Sequence, residues 1–221
     1  MCWSADADLV AGCAILTLGA GCVAGVRRAR DVPLASLPLL LGLHQIIESF
    51  VWRGEDGTVS AGTASTARTL WAVIAFPLLP LLLPWAVYLA SSPAGRQVRL
   101  RLRALMAVGA ATSAVLAVTL ARHPVTARTL GHTLGYSIDV PSAPLVIAGY
   151  LAATLGPLLL APNPILRLLG VLTTVGAAVC YLVWELAFAS TWCAVAAMAS
   201  VVLLRWAWSA PMQHESDTAS A

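Results

Sequence analysis

Apolar runs of membrane-spanning length follow one another along most of this chain, separated by short polar or arginine-bearing segments. A helix that crosses a bilayer needs about 20 predominantly apolar residues. The pattern predicts seven such helices, at about 7–26, 33–52, 67–90, 104–121, 143–160, 165–187 and 190–208. Local signals set several of their ends. Ser4 is placed to cap the first helix, and Asp6 and Asp8 suit the positive end of its dipole. Pro33 opens the second, and Asn163 followed by Pro164 reads as a cap and first residue of the sixth. Gly21 and Gly25 form a GxxxG pair that permits close helix contact. Pro77, Pro80 and Pro84 predict a kinked third helix with freed backbone carbonyls. Residues 165–208 are apolar for too long to be one span, and Ala189-Ser190-Thr191 is the expected break, with Ser190 capping the last helix. Residues 53–66 and 122–142 read as loops. The expected fold class is therefore all-α: a polytopic bundle of seven transmembrane helices in residues 1–210, then a polar, disordered tail at 211–221.

Composition supports this pattern. The chain of 221 residues is 59% hydrophobic and 10% charged, with mean hydropathy +0.83. A soluble domain carries about 25% charged residues. The net charge of +3 does not point to nucleic acid, because the basic residues are all arginine and sit in short clusters between apolar runs. Their distribution predicts orientation. Arg27, Arg28, Arg30, Arg96, Arg99, Arg101, Arg103, Arg167 and Arg205 fall on one side, against Arg53, Arg68, Arg122 and Arg128 on the other. The N-terminus is expected outside and the C-terminus inside. The opening MCWSADAD carries two acids and no base, unlike the basic start of a signal peptide. Cys13, Cys22 and Cys180 lie within apolar runs and read as buried packing residues.

The second helix carries the candidate chemistry. His44, Glu48 and Trp52 share one helical stripe, at i, i+4 and i+8. Ionisable groups inside a membrane span are costly and mark a functional site by default. In the expected topology His44 lies about 17 Å from the inner end of its span and Glu48 about 6 Å further out. Cys2 and Trp3, Glu185, and Trp192 and Cys193 gather at the same outer level, with Trp71 and Trp184 nearby. Together, Cys2, Trp3, His44, Glu48, Trp52, Glu185, Trp192 and Cys193 make the candidate pocket. Carboxylates beside an imidazole serve general acid/base chemistry, a proton relay or a metal site. Cys, His and Glu are competent zinc or copper ligands, but no ligand spacing in the sequence selects a metal. Cys2 and Cys193 are also a candidate disulfide on the oxidising side. Against these stand plainer roles: Glu48 as interhelical glue, His44 as a satisfied interior histidine, and the tryptophans as an interfacial belt.

Three stretches carry a resemblance: MCWSA at Met1–Ala5, LGLHQIIESFVW at the second helix, and WELAFASTWCAVAAMAS at Trp184–Ser200. They resemble a family of small bacterial polytopic membrane proteins of unknown function that open Met-Cys-(Phe or Trp)-Ser-Ala. The resemblance implies a multi-pass protein of the bacterial cell membrane. Cys2, Glu48, Trp52, Trp192 and Cys193 match its pattern, whereas the place of His44 often holds Gln there. The seven-span metal hydrolases similar to alkaline ceramidases use several intramembrane histidines, and this chain has only His44. Three functional classes remain open from the sequence: binding or transport of a small molecule, lipid or ion within the lipid bilayer; a structural or partner-binding role; and an intramembrane hydrolase. No cofactor and no oligomeric state is specified.

Overall fold

The computed structural model describes residues 4–92, 94–130, 133–138, 142–183 and 188–209. Seven helical segments account for most of them: α1 Ala5–Gly25, α2 Ala29–Glu55, α3 Ala61–Ala90, α4 Arg96–Arg122, α5 Ala143–Leu159, α6 Pro164–Val183 and α7 Phe188–Ser209. The first four are long and apolar enough to cross a membrane; the apolar stretches of the other three are shorter among the described residues. The expected caps form. Ser4 Oγ accepts from Ala7 N at 3.2 Å, and Asn163 Oδ1 from Ile165 N at 2.9 Å.

Four expectations are corrected. Residues 122–142 are not all loop: β1 Thr126–Leu130 and β2 Thr133–Ser137 form an antiparallel hairpin, with Ala127 opposite Tyr136. Alternation explains it, since Ala127 and Leu134 turn inward and are buried while Arg128 and Ser137 stay exposed. The arginine cluster 96–103 is helical, forming the first two turns of α4. Ser190 does not cap the last helix but lies within α7, Phe188–Ser209, and residues 184–187 lie outside the described residues. Isolated Ser and Thr do not stop a helix that packing supports. Finally, Cys22 and Cys180 are buried but Cys13 is exposed, on the outward face of α1. The tail at 211–221 lies outside the described residues.

Small residues set the tightest contact, between α1 and α2. A Cβ on Gly42 would stand 2.7 Å from Leu16 N and 2.9 Å from Gly12 O; one on Gly19 would stand 2.6 Å from Leu39 N. Those neighbours are backbone and cannot yield, so the two helices run as close as glycine allows. Gly21 and Gly25 make the expected close helix contact, and they make it with α7. They seat the Trp208 indole of α7, whose Nε1 donates to Gly21 O at 3.1 Å.

The prolines of α3 act as the sequence predicts. A wider turn over Ile74–Leu78 has Leu79 N bonded to Ile74 O. Pro80 has no N–H to offer Ala75 O, and Tyr150 OH of α5 donates to that carbonyl at 2.6 Å. Ser113 Oγ of α4 donates to Pro77 O at 2.6 Å. Pro84 likewise leaves Pro80 O without its helical donor, and Gly109 of α4 packs directly against that oxygen.

Two apolar clusters mark the two ends of the bundle. One joins Cys22, Leu34, Val87, Leu102, Leu166 and Trp206. The other joins Val51, Trp52, Ala67, Trp71, Ala127 and Leu134, so that the hairpin closes over the ends of α2 and α3. The candidate residues of α2 open onto this second end.

Candidate functional site

The first residue of the site comes from α1. Its buried stripe is Asp8, Gly12, Ile15, Gly19 and Cys22, the face pressed on α2. Asp6 is two residues away and points out, fully exposed beside Arg53 at 3.6 Å. Asp8 is completely buried, and its Oδ2 accepts a hydrogen bond from Trp52 Nε1 at 3.0 Å. The glycine contact between the helices brings these groups within reach.

Glu48 lies one turn before Trp52 and is also completely buried. Its Oε2 accepts from Gln45 Nε2 and its Oε1 from Tyr136 OH of the hairpin, each at 3.4 Å. Both are at the long end of hydrogen-bond range. Tyr136 stacks flat on Trp71 of α3, with ring centroids 3.5 Å apart and planes 7° from parallel. His44 tilts against Trp71 with ring centroids 4.8 Å apart, and Phe76 meets Trp71 edge-on at 5.8 Å. Two carboxylic side chains thus stand beside an aromatic cluster drawn from α2, α3 and β2.

Not every polar atom here is satisfied. Trp71 is 1% exposed and His44 8% exposed, yet among the described residues Trp71 Nε1 and His44 Nδ1 have no hydrogen-bond partner. An indole N–H is a donor only, so it requires an acceptor. An imidazole nitrogen donates or accepts according to its protonation. Two further orphaned atoms, Arg30 Nε and Ser91 Oγ, lie at the opposite end of the bundle.

The expected stripe is thus partly redrawn. His44, Glu48 and Trp52 are all buried at one end, as their spacing implies. The expected pairing of His44 with Glu48 is not formed: His44 turns to Trp71, and Glu48 to Gln45 and Tyr136. Trp52 is held by Asp8. Cys2, Trp3 and Glu185 lie outside the described residues, as do the side chains of Trp192 and Cys193, so the candidate disulfide falls there too. Three contributors were not expected there from the sequence, Asp8, Gln45 and Tyr136, whereas Trp71, expected nearby, joins the cluster itself. Asp8 had a signal, since it falls in register with Gly12 and Gly19, whereas its place in the first turn suggested only a dipole charge. Trp71 continues the Ala64 and Ala67 face of α3. Tyr136 had no local signal, because its position depends on the fold of the hairpin.

Residues 1–218 match the profile of a family of unknown function, DUF6629. The chain belongs to this family. No curated protein and no solved structure matches it. Membership in DUF6629 brings no reaction with it, so the chemistry of the site rests on its own groups. Among the described residues, no three His, Cys, Asp or Glu side chains gather closely enough to hold a metal ion. Ser49, the hydroxyl nearest Glu48 in sequence, donates to Ile46 O within its own helix at 2.7 Å. What the cluster offers is carboxylate acceptors, one buried N–H donor, one imidazole nitrogen and a stacked π surface. Groups of this kind are able to hydrogen-bond to and stack on a small polar molecule.

The Asp8–Trp52 bond gives a direct check on this geometry. Asp8→Ala and Trp52→Phe should each destabilise the protein, and the double variant by less than their sum. The coupling should be about 1 kcal/mol, within the range of interhelical polar bonds in membrane proteins. Unfolding measurements in mild detergent test this, and strictly additive losses would show that the bond contributes nothing.

Proposed function

We propose that this DUF6629 protein is a multi-pass protein of the bacterial cell membrane that binds a small polar molecule, lipid headgroup or ion in the outer half of its bundle. Exposed apolar side chains support the membrane setting. Val10, Leu145, Ile147, Val175, Met198 and Val201 are each more than half exposed and point outward from four helices. Such surfaces on a water-soluble protein would aggregate, whereas in hydrocarbon they cost nothing. Charge supports the orientation. Arg53 and Arg68 pair with Asp6 and Glu55 at the site end. At the opposite end, where the arginines at 27–30, 96–103, 167 and 205 gather, Asp31 is the one acid among the described residues. The basic end is the cytoplasmic one and the carboxylate end the outer one.

The observation that carries the binding reading is Trp71 Nε1. A cluster that only glued helices together would satisfy its own polar atoms, as Asp8 and Trp52 do. A buried indole N–H that has no acceptor among the described residues, next to a second orphaned nitrogen on His44, suits an acceptor from outside the chain. The competing structural reading has its own support, in the bonds Glu48 makes to Gln45 and Tyr136.

With the five native cysteines replaced by alanine, an impermeant thiol reagent should label intact cells carrying Asp56→Cys but not those carrying Arg99→Cys; the reverse would invert the orientation. Native mass spectrometry of the full chain separates binding from structure. The wild type should carry a discrete small-molecule mass that Trp71→Phe loses while staying folded. Variants that differ only in melting temperature, with no bound mass in any of them, would favour the structural role.

A further inference from the structure

The opposite end of the bundle holds a second arrangement, unrelated to the carboxylate cluster. Tyr88 is in the last turn of α3, and Arg99 and Arg103 are one turn apart at the start of α4. Both guanidinium groups converge on one phenol oxygen. Arg99 Nη2 donates to Tyr88 OH at 2.5 Å and Arg103 Nε at 3.2 Å. Their Cζ atoms lie 4.9 and 5.8 Å from the Tyr88 ring centroid. Two like charges are therefore held side by side, and among the described residues no carboxylate pairs with either. A neutral phenol does not neutralise them. Each guanidinium has five N–H donors, and Tyr88 engages one from each, leaving forked donors free for an anion.

Helix length fixes the depth of this pair. α4 has 27 residues, about 40 Å at 1.5 Å per residue, against about 30 Å of hydrocarbon. The stretch after Arg103 alone covers about 28 Å. The first two turns therefore stand at headgroup level if α4 crosses a bilayer. We propose that Arg99 and Arg103, pre-set by Tyr88, grip the phosphate of an anionic phospholipid in the inner leaflet. The proposal rests on the membrane reading above but not on the ligand at the Trp71 site. Tyr88 is the positioning residue: it aligns the two forks before the lipid arrives, so less ordering remains for binding to supply.

The test uses the full chain, purified in mild detergent and titrated with phosphatidylglycerol or phosphatidylcholine under native mass spectrometry. Phosphatidylglycerol should bind the wild type at least tenfold more tightly than phosphatidylcholine. The double variant Arg99→Gln/Arg103→Gln should lose that preference by on the order of tenfold or more. Tyr88→Phe, which keeps both charges, should lose part of it. Arg101→Gln, on an exposed neighbouring position, should stay near the wild type. Equal binding of the two lipids would overturn the proposal. So would an Arg101→Gln loss as large as that of the double variant, which would mean a diffuse basic field. Displacement of phosphatidylglycerol by millimolar inorganic phosphate would assign the site to a soluble anion instead. Absence of the wild type from the membrane fraction would refute the membrane reading itself; its presence there without lipid preference would refute only this site.

Discussion

Within a bundle of apolar helices, each polar group must find its partner in the protein, because the surroundings offer none. That constraint organises most of this structure. It explains why Tyr150 and Ser113 reach across to carbonyls of α3, where prolines have disturbed the ladder. It explains why Asp8, with no water in reach, meets Trp52 at 3.0 Å. Threonine and serine hydroxyls elsewhere follow the same rule by donating to the preceding turn, as Thr173 and Ser200 do at 2.8 Å. An unpaired buried donor costs about 1–3 kcal/mol, enough to matter for a protein of ordinary stability. Trp71 Nε1 and His44 Nδ1 depart from the rule, and they sit together at the one place where two buried carboxylic residues and a stacked aromatic pair also meet.

Backbone contact comes first in the chain of causes. Gly12, Gly19 and Gly42 let α1 and α2 approach until backbone meets backbone. Only then does Asp8 reach Trp52, and only then is the end of α2 fixed for Glu48 to receive Tyr136 from the hairpin. The prolines of α3 work in parallel. They free carbonyls that α4 and α5 must satisfy, which ties those helices to α3 and sets where Trp71 stands. The site is thus a product of two local sequence devices, a glycine face and a proline face, acting at a distance from the side chains they position.

This division explains what the sequence revealed. Helix positions followed from apolar runs, and caps at Ser4 and Asn163 from residue type, because those signals are local. Glu48 and Trp52 stood out because an acid within an apolar run is rare. Asp8 was hidden by a second valid explanation, since an acid in the first turn also suits the helix dipole. The hairpin at 126–137 was missed because its strands are short and one of its inward residues is alanine, a weak strand signal. With the hairpin missed, Tyr136 could not be placed beside Glu48. The His44–Glu48 pairing failed for a different reason: i, i+4 spacing brings two side chains to one face but does not choose their rotamers, and Trp71 supplied a competing surface for the imidazole.

We propose that the nitrogens of Trp71 and His44, unpaired among the described residues, are kept for a ligand. A density map of the full chain in lipid nanodiscs, purified without added small molecules, tests it most directly. The account predicts non-protein density within hydrogen-bond distance of Trp71 Nε1, in contact with the Trp71–Tyr136 stack. A map in which protein atoms fill that place and pair with both Trp71 Nε1 and His44 Nδ1 would contradict it.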